Sequence, residues 1–284
     1  MIRGIDVSNH QARVDWGRVK ADGISFAYIK ATEGTGFVDP RFGAYWAGAK
    51  AAGLPRGAYH FARPDTNSGG TPATVAKDAR AEADAFLTVA FPRAGDLLPV
   101  LDLETDGLPP ALMVQWTAAW LTRVQSQTGV KPVLYTYPAF WSRLGNTKQF
   151  GSYPLWIASY GVASPHLPAG WSKYTIWQYS SSGSVPGIPG NVDLNQLGAR
   201  VTIANITYRA PSPGPRPGAH NYPGPVPKPG WFWPWIRWRL GVAEFEGLAA
   251  NMAVRPDEPP KTIPQWAWRA LAKLESARKK PPTS

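Results

Sequence analysis

Leu98-Pro-Val-Leu-Asp-Leu-Glu104 is the segment on which the reading of this chain turns. A short apolar run leads straight into two acids separated by one residue. A run of that length, bounded by loop residues and too short for a helix, has the form of a buried strand. Side chains alternate across a strand, so Asp102 and Glu104 share one face, about 6.5–7 Å apart along the backbone, with Leu103 on the other. Ionisable groups at the C-terminal end of a buried strand sit where β/α-barrels keep their chemistry.

Similar runs recur on both sides of it: Ile2–Val7, Ser25–Lys30, Pro55–Phe61, Val133–Thr136, Leu155–Ala158, Thr175–Tyr179 and Val192–Leu194. They alternate with longer amphipathic stretches, the pattern of βα units around a parallel sheet. Asp39-Pro40 reads as an N-cap and first helical residue before Arg41–Ala52, with Gly53 as the left-handed residue that closes that helix. Pro109 to Gly129 reads as another helix, with Met113, Trp116, Trp120 and Val124 along one face. Eight strands in about 200 residues predict an α/β fold, an irregular (β/α) TIM-like barrel. The later connections are too short for full helices, so helices should be short or missing in its second half.

The barrel should end near residue 209. Residues 210–230 hold eight prolines and four glycines, which forbid both helix and sheet and predict a semi-rigid, extended linker. Residues 231–284 then carry six of the fourteen tryptophans, with Pro234 and Pro264 at helix-start positions and nine basic against five acidic residues. The expectation is a small, Trp-rich, basic helical module. Cell-wall binding is the functional reading, a Trp-rich mini-core the structural one, and a membrane-surface helix a third.

With 284 residues, 44% hydrophobic and 17% charged, the chain is long enough for one large core and an appendage. Its net charge of +11 implies an anionic partner. The excess is spread along the chain without a Lys/Arg block, which argues against nucleic acid and leaves an anionic cell wall. No run is long enough to span a membrane. The N-terminus enters its first strand without an apolar leader. The expected setting is therefore synthesis in the bacterial cytoplasm without a signal peptide and action on the wall after release. There are no cysteines, hence no disulfide, thiol nucleophile or thiolate metal site. Neither His-x-His nor His-Glu-x-x-His occurs, so no metal and no cofactor are expected. A monomer is expected.

The other strand ends carry a consistent set of groups: Asp6 on the first, Tyr59 and His60 on the third, Tyr135 and Tyr137 on the fifth, Gln178 on the seventh and Asp193 on the eighth. Carboxyls so gathered can divide their labour, one kept protonated by burial and like charge while another stays ionised, which is the equipment for glycoside hydrolysis. The structural alternative is that Asp102 and Glu104 pair with Arg or Lys; Asp6 and Asp193 weigh against it. Tyr59, Tyr137 and Trp177 suit a sugar platform, although each could equally be packing. Glu33 is either a substrate contact or the partner of Lys30. His60 reads as a structural neighbour.

Six blocks, in order, resemble glycoside hydrolase family 25, the Chalaropsis-type muramidases. They are Gly4-Ile-Asp-Val-Ser8 with Gln11 and Asp15-Trp16, Phe26–Gly34, Gly57–Phe61, Leu101–Glu104, Trp177-Gln-Tyr179 and Val192–Asn195. The resemblance implies cleavage of the β-1,4 bond between N-acetylmuramic acid and N-acetylglucosamine in bacterial peptidoglycan. Glu104 falls in the general-acid position, with Asp6, Asp102 and Asp193 matching the other carboxylates. It further implies a retaining route in which the substrate's own acetamido group attacks and Asp102 orients it; direct attack and inversion stay open. A bacteriophage endolysin is the expected setting. A bacterial autolysin, a chitinase-like enzyme and an inactive carbohydrate-binding barrel are the alternatives.

Overall fold

A computed structural model describes residues 1–67 and 69–209 of the chain. The linker expected over 210–230 and the helical module expected over 231–284 lie outside the described residues.

Nine strands form one sheet: β1 (Arg3–Val7), β2 (Ile24–Glu33), β3 (Phe37–Val38), β4 (Arg56–Phe61), β5 (Val100–Asp102), β6 (Val133–Thr136), β7 (Leu155–Ala158), β8 (Ile176–Gly183) and β9 (Val192–Leu197). Their order is β1-β9-β8-β7-β6-β5-β4-β2-β3, and a further β1–β2 pairing closes eight of them into a barrel. β3 is a two-residue hairpin arm on β2 that the sequence did not announce. All eight expected strands are present. The expectation of an all-parallel sheet is corrected at the seam, because β9 runs antiparallel to both β1 and β8. Only residues 184–191 join β8 to β9, and a parallel crossover needs a dozen residues or more.

The helices thin out as expected. α1 (Trp16–Ala21), α2 (Phe42–Ala51), α3 (Pro72–Ala90) and α4 (Pro110–Thr128) fill the first half; α5 (Pro138–Arg143) is short, and no helix joins β7 to β8 or β8 to β9. α6 (Ile203–Ile206) follows the barrel. Gly53 closes the second helix in the left-handed region at φ +67°. The start of α2 needs correction. The helix begins at Phe42 rather than Pro40, and the Asp39 carboxylate instead accepts from the backbone N–H groups of Asn9 (2.8 Å) and Arg41 (2.8 Å). Asp39 thus ties the loop after β1 to the chain entering α2. The α3 N-terminus is held by reciprocal bonds between Thr71 and Thr74.

Period-two alternation divides the core. Outward-facing Ile5, Ile29, Leu101 and Leu134 meet the helices, including the fully buried stripe Met113, Trp116, Trp120 and Val124 of α4. Inward-facing Phe26, Tyr28, Val100, Val133 and Trp156 fill the barrel. Two glycines make room for the inner rings: a Cβ on Gly4 would lie 2.3 Å from the Phe26 ring, and one on Gly57 2.2 Å from Tyr28. Such rings remove 150–250 Å² each from water, so the blocked barrel is a packed core rather than a pore.

Gly4→Ala is expected to destabilise the protein by roughly 1–3 kcal/mol, the range for overpacking. Gly43→Ala, in α2 with nothing within 4 Å of its would-be Cβ, should be neutral or stabilise by up to about 1 kcal/mol. Chemical unfolding of the two variants checks this; equal stability would contradict the close packing of Phe26 on β1.

Candidate active site

The inner rings stop short of the C-terminal end of the parallel strands, where a cleft of about 260 Å³ opens. Asp6, Tyr59, Asp102, Glu104, Gln178 and Asp193 all line it, so six of the expected site residues come together from five strands and the turn after β5.

Antiparallel closure sets the first pair. In the β1–β9 register Asp6 lies directly opposite Asp193, and the two carboxyls are hydrogen-bonded. The Asp6 Oδ2 also accepts from Asn195 Nδ2 (2.7 Å) and Gln178 Nε2 (3.0 Å). Both donors are fixed from behind. Asn195 Oδ1 accepts from the Trp156 indole (2.8 Å), while Gln178 Oε1 accepts from the hydroxyls of Tyr135 (3.0 Å) and Tyr160 (2.5 Å). Burial pushes Asp6 upward against the pull of these donors. Asp193 is pushed to about 8, by burial first and then by the charge of Asp6 and the bond to it. Two carboxyls so close cannot both ionise at neutral pH; Asp193 holds the proton and Asp6 the charge.

Asp102 and Glu104 form the second pair. Asp102 ends β5, 8% exposed, and its Oδ1 is buried without a hydrogen-bond partner. Burial, then the charges of Glu104 and Asp6, lift it well above the usual aspartate range. Glu104, two residues further on in the turn after β5 and half-buried, is raised by burial and by Asp6, with Lys30 and Arg63 opposing. The pair therefore retains a proton above the range of ordinary carboxyls. Tyr59 and Tyr135, raised by burial and then by the surrounding acids, remain protonated donors. A carboxylic acid, an ionised neighbour and phenolic donors around one cleft can protonate a leaving oxygen and stabilise positive charge developing beside it.

The pattern of glycosyl hydrolases family 25 matches residues 5–188. The chain belongs to that family. It is 39% identical over 208 residues to lysozyme M1 of Streptomyces globisporus, covering 69% of this chain and 67% of that one. It is 36% identical over 212 residues to the N,O-diacetylmuramidase of Chalaropsis, covering 68% and 96%. Among solved structures, the lysozyme from Streptomyces coelicolor superposes with a TM-score of 0.65 at 36% identity, covering 72% of this chain and 96% of that one. This family 25 chain is accordingly a glycoside hydrolase.

Three expected site residues do not line the cleft. Trp177 follows the alternation of β8: with Gln178 turned inward, its ring points outward between Tyr174 and Tyr179, and its indole donates to the Ser159 carbonyl (2.7 Å). Tyr137 stands at the N-cap position of α5 without a side-chain capping bond and packs on Phe140, its hydroxyl accepting from Arg143 (3.2 Å). Glu33 is enclosed by Lys30 and Arg63. His60 is structural, as expected. It lies on the outer face, stacked on Trp120, with Nδ1 bonded to Thr32 (2.8 Å) and Nε2 to Glu82 (2.7 Å). Lys30, Trp156 and Tyr160 line the cleft without having been singled out. Their signal was the alternation Phe26-Tyr28-Lys30 and Trp156-Ala158-Tyr160 carried on to the strand ends.

A carboxyl whose folded pKa is raised keeps a proton that the unfolded chain has lost. The buried cluster therefore opposes folding increasingly as pH rises from the ordinary aspartate value, 3.8, toward about 8. Asp193→Asn keeps a donor toward Asp6 and removes the titration. It should raise the melting temperature by a few degrees at about pH 8.5, the size of a 1 kcal/mol change, and leave it unaltered near pH 4. Thermal unfolding at the two pH values checks this; a gain confined to acid solution would contradict the proton assignment.

Proposed function

We propose that this family 25 enzyme is a muramidase that cleaves the β-1,4 bond from N-acetylmuramic acid to N-acetylglucosamine in peptidoglycan, with Glu104 as general acid. The buried Asp102–Glu104 pair at the mouth of the cleft carries this reading. Glu104 is the more open of the two and its carboxyl is raised above the usual range, which supports its reading as the group that protonates a glycosidic oxygen. Asp102, deeper and with an unpartnered oxygen, suits a polar hydrogen brought in by the substrate. An acetamido N–H supplies one and, by bonding to the charged form, draws Asp102 toward ionisation and leaves the shared proton on Glu104; the carboxylate would then orient the acetyl oxygen toward the anomeric carbon and stabilise the resulting oxazolinium. Tyr59 and Tyr135 contribute hydroxyls near the developing charge, and Asp6 adds the negative field that favours an oxocarbenium-like transition state. Residues 231–284 are proposed to hold the enzyme on the wall through tryptophan and basic side chains, and a net charge of +11 suits an anionic wall. Lysis of a bacterial wall as a phage endolysin, by a monomer that reaches the wall after release from the cytoplasm, is the setting proposed.

Purified peptidoglycan digested with the enzyme, then reduced and examined by mass spectrometry, should show new reducing muramic acid. Glu104→Gln should be slower by at least about a hundredfold, the usual contribution of a general acid. New reducing glucosamine, or full activity in the variant, would sink the assignment. The same inactive full-length variant should sediment with intact walls; its remaining in the supernatant would remove the wall-binding role of the C-terminal segment.

A further inference from the structure

The cleft that gathers four carboxyls is also lined by Lys30 and, among the described residues, by no other lysine or arginine. Lys30 occupies the inward position of β2 after Phe26 and Tyr28, and only 7% of it is exposed. Its Nζ lies 2.5 Å from Glu33 Oε2, 4.6 Å from the centroid of the Phe61 ring and 5.6 Å from that of Phe37. The ammonium is thus fixed between two aromatic faces and a carboxylate, largely out of water.

A lysine whose only task was to neutralise Glu33 would leave no charge to act on the cleft. Glu33, however, is shared. Its other oxygen accepts from Arg63 Nε (2.7 Å) and lies 2.6 Å from Nη2 in an ion pair, and the Arg63 guanidinium covers Phe61 at 4.8 Å. Two cations on one anion leave a net positive charge beside the acids. Burial would raise Glu33, but the bonds and charges of Lys30 and Arg63 outweigh it and hold Glu33 ionised. We propose that Lys30, held by the Glu33–Arg63 pair, is a positioning residue that sets the pH range over which the Asp102–Glu104 pair keeps its proton. The proposal rests on the reading of Glu104 as the acid.

The groups facing that pair come from every side of the cleft: Asp6 from β1, Tyr59 from β4, Tyr135 from β6, Tyr160 after β7 and Asp193 from β9, with His10 at the mouth. Apart from His10, these are acids or phenols, which favour the protonated form of Glu104 or leave it unchanged. Lys30 and Arg63 oppose them at Glu104, and Lys30 opposes them again at Asp102. Without that opposition the acid would surrender its proton too reluctantly to act as an efficient donor. Glu33 has the reverse sign and moderates the effect, so the trio works as a graded bias rather than a bare charge.

Opposite signs make the proposal separable from a packing role. The full-length protein, labelled with ¹³C at the glutamate side-chain carboxyls, is titrated by NMR, with Glu104→Gln identifying the resonance. The alkaline limb of kcat/KM on peptidoglycan is measured alongside. Lys30→Met should move both the Glu104 midpoint and the alkaline limb upward by about one pH unit, the usual effect of losing a nearby opposite charge. Glu33→Gln should move both downward, and Lys30→Arg should hold them near the wild-type position. Shifts in the same direction for the two neutralising variants, or none in either, would overturn the proposal. If the wild type fails to cut peptidoglycan, the functional reading falls while the NMR titration still decides the role of Lys30.

Discussion

Antiparallel closure of the barrel is the constraint on which the site depends. Because β9 returns through a connection too short for a parallel crossover, it enters between β8 and β1 in reverse, which brings Asp193 opposite Asp6 and Asn195 beside Gln178. Like charges facing each other across a ladder destabilise a sheet. Here the conflict is relieved by a proton kept on Asp193 and by the donors that converge on Asp6. The phenols of Tyr135 and Tyr160 and the indole of Trp156 fix those donors, so residues from five strands have a single consistent hydrogen-bonding pattern.

The remainder of the fold supplies what this arrangement lacks in stability. A cluster of buried acids opposes folding across the neutral range, and packing away from it must compensate. The tryptophans and phenylalanines between the barrel and α3–α4 provide that compensation, and the His60–Glu82 bond ties α3 to the back of β4. Within the barrel, Phe26 and Tyr28 press against glycine backbone and form a dry floor. Val100, two residues before Asp102 on β5, packs into that floor, and burial followed by the charges of Glu104 and Asp6 lifts the Asp102 carboxyl well above its ordinary range. Packing and chemistry are thus coupled through the same side chains.

Much of this was legible in the sequence because period-two alternation is a local property. Leu98–Leu103 could be read as a strand and the two acids as facing one way without knowing anything about the rest of the chain, although the strand itself is shorter, Val100–Asp102, with Glu104 in the turn after it. The residues the sequence left open were those whose side-chain direction depends on a neighbour. Trp177 suits a sugar platform by type, but the inward turn of Gln178 decides that it faces the other way. Glu33 lies at the end of an inward-facing strand, yet a residue 30 positions away, Arg63, encloses it. The direction of β9 was illegible for a similar reason. Strand identity follows from composition, whereas orientation follows from the length of a connection and the edge left open for it.

The buried carboxyls of the cleft retain protons where exposed ones would have lost them. Neutron diffraction from crystals of the full-length protein at a pD of about 6, between the ordinary aspartate value and the value of about 8 for Asp193, locates them directly. One deuteron is expected on the Asp6–Asp193 pair, carried by Asp193 and directed at Asp6, and one on the Asp102–Glu104 pair. Four bare carboxylates would contradict this.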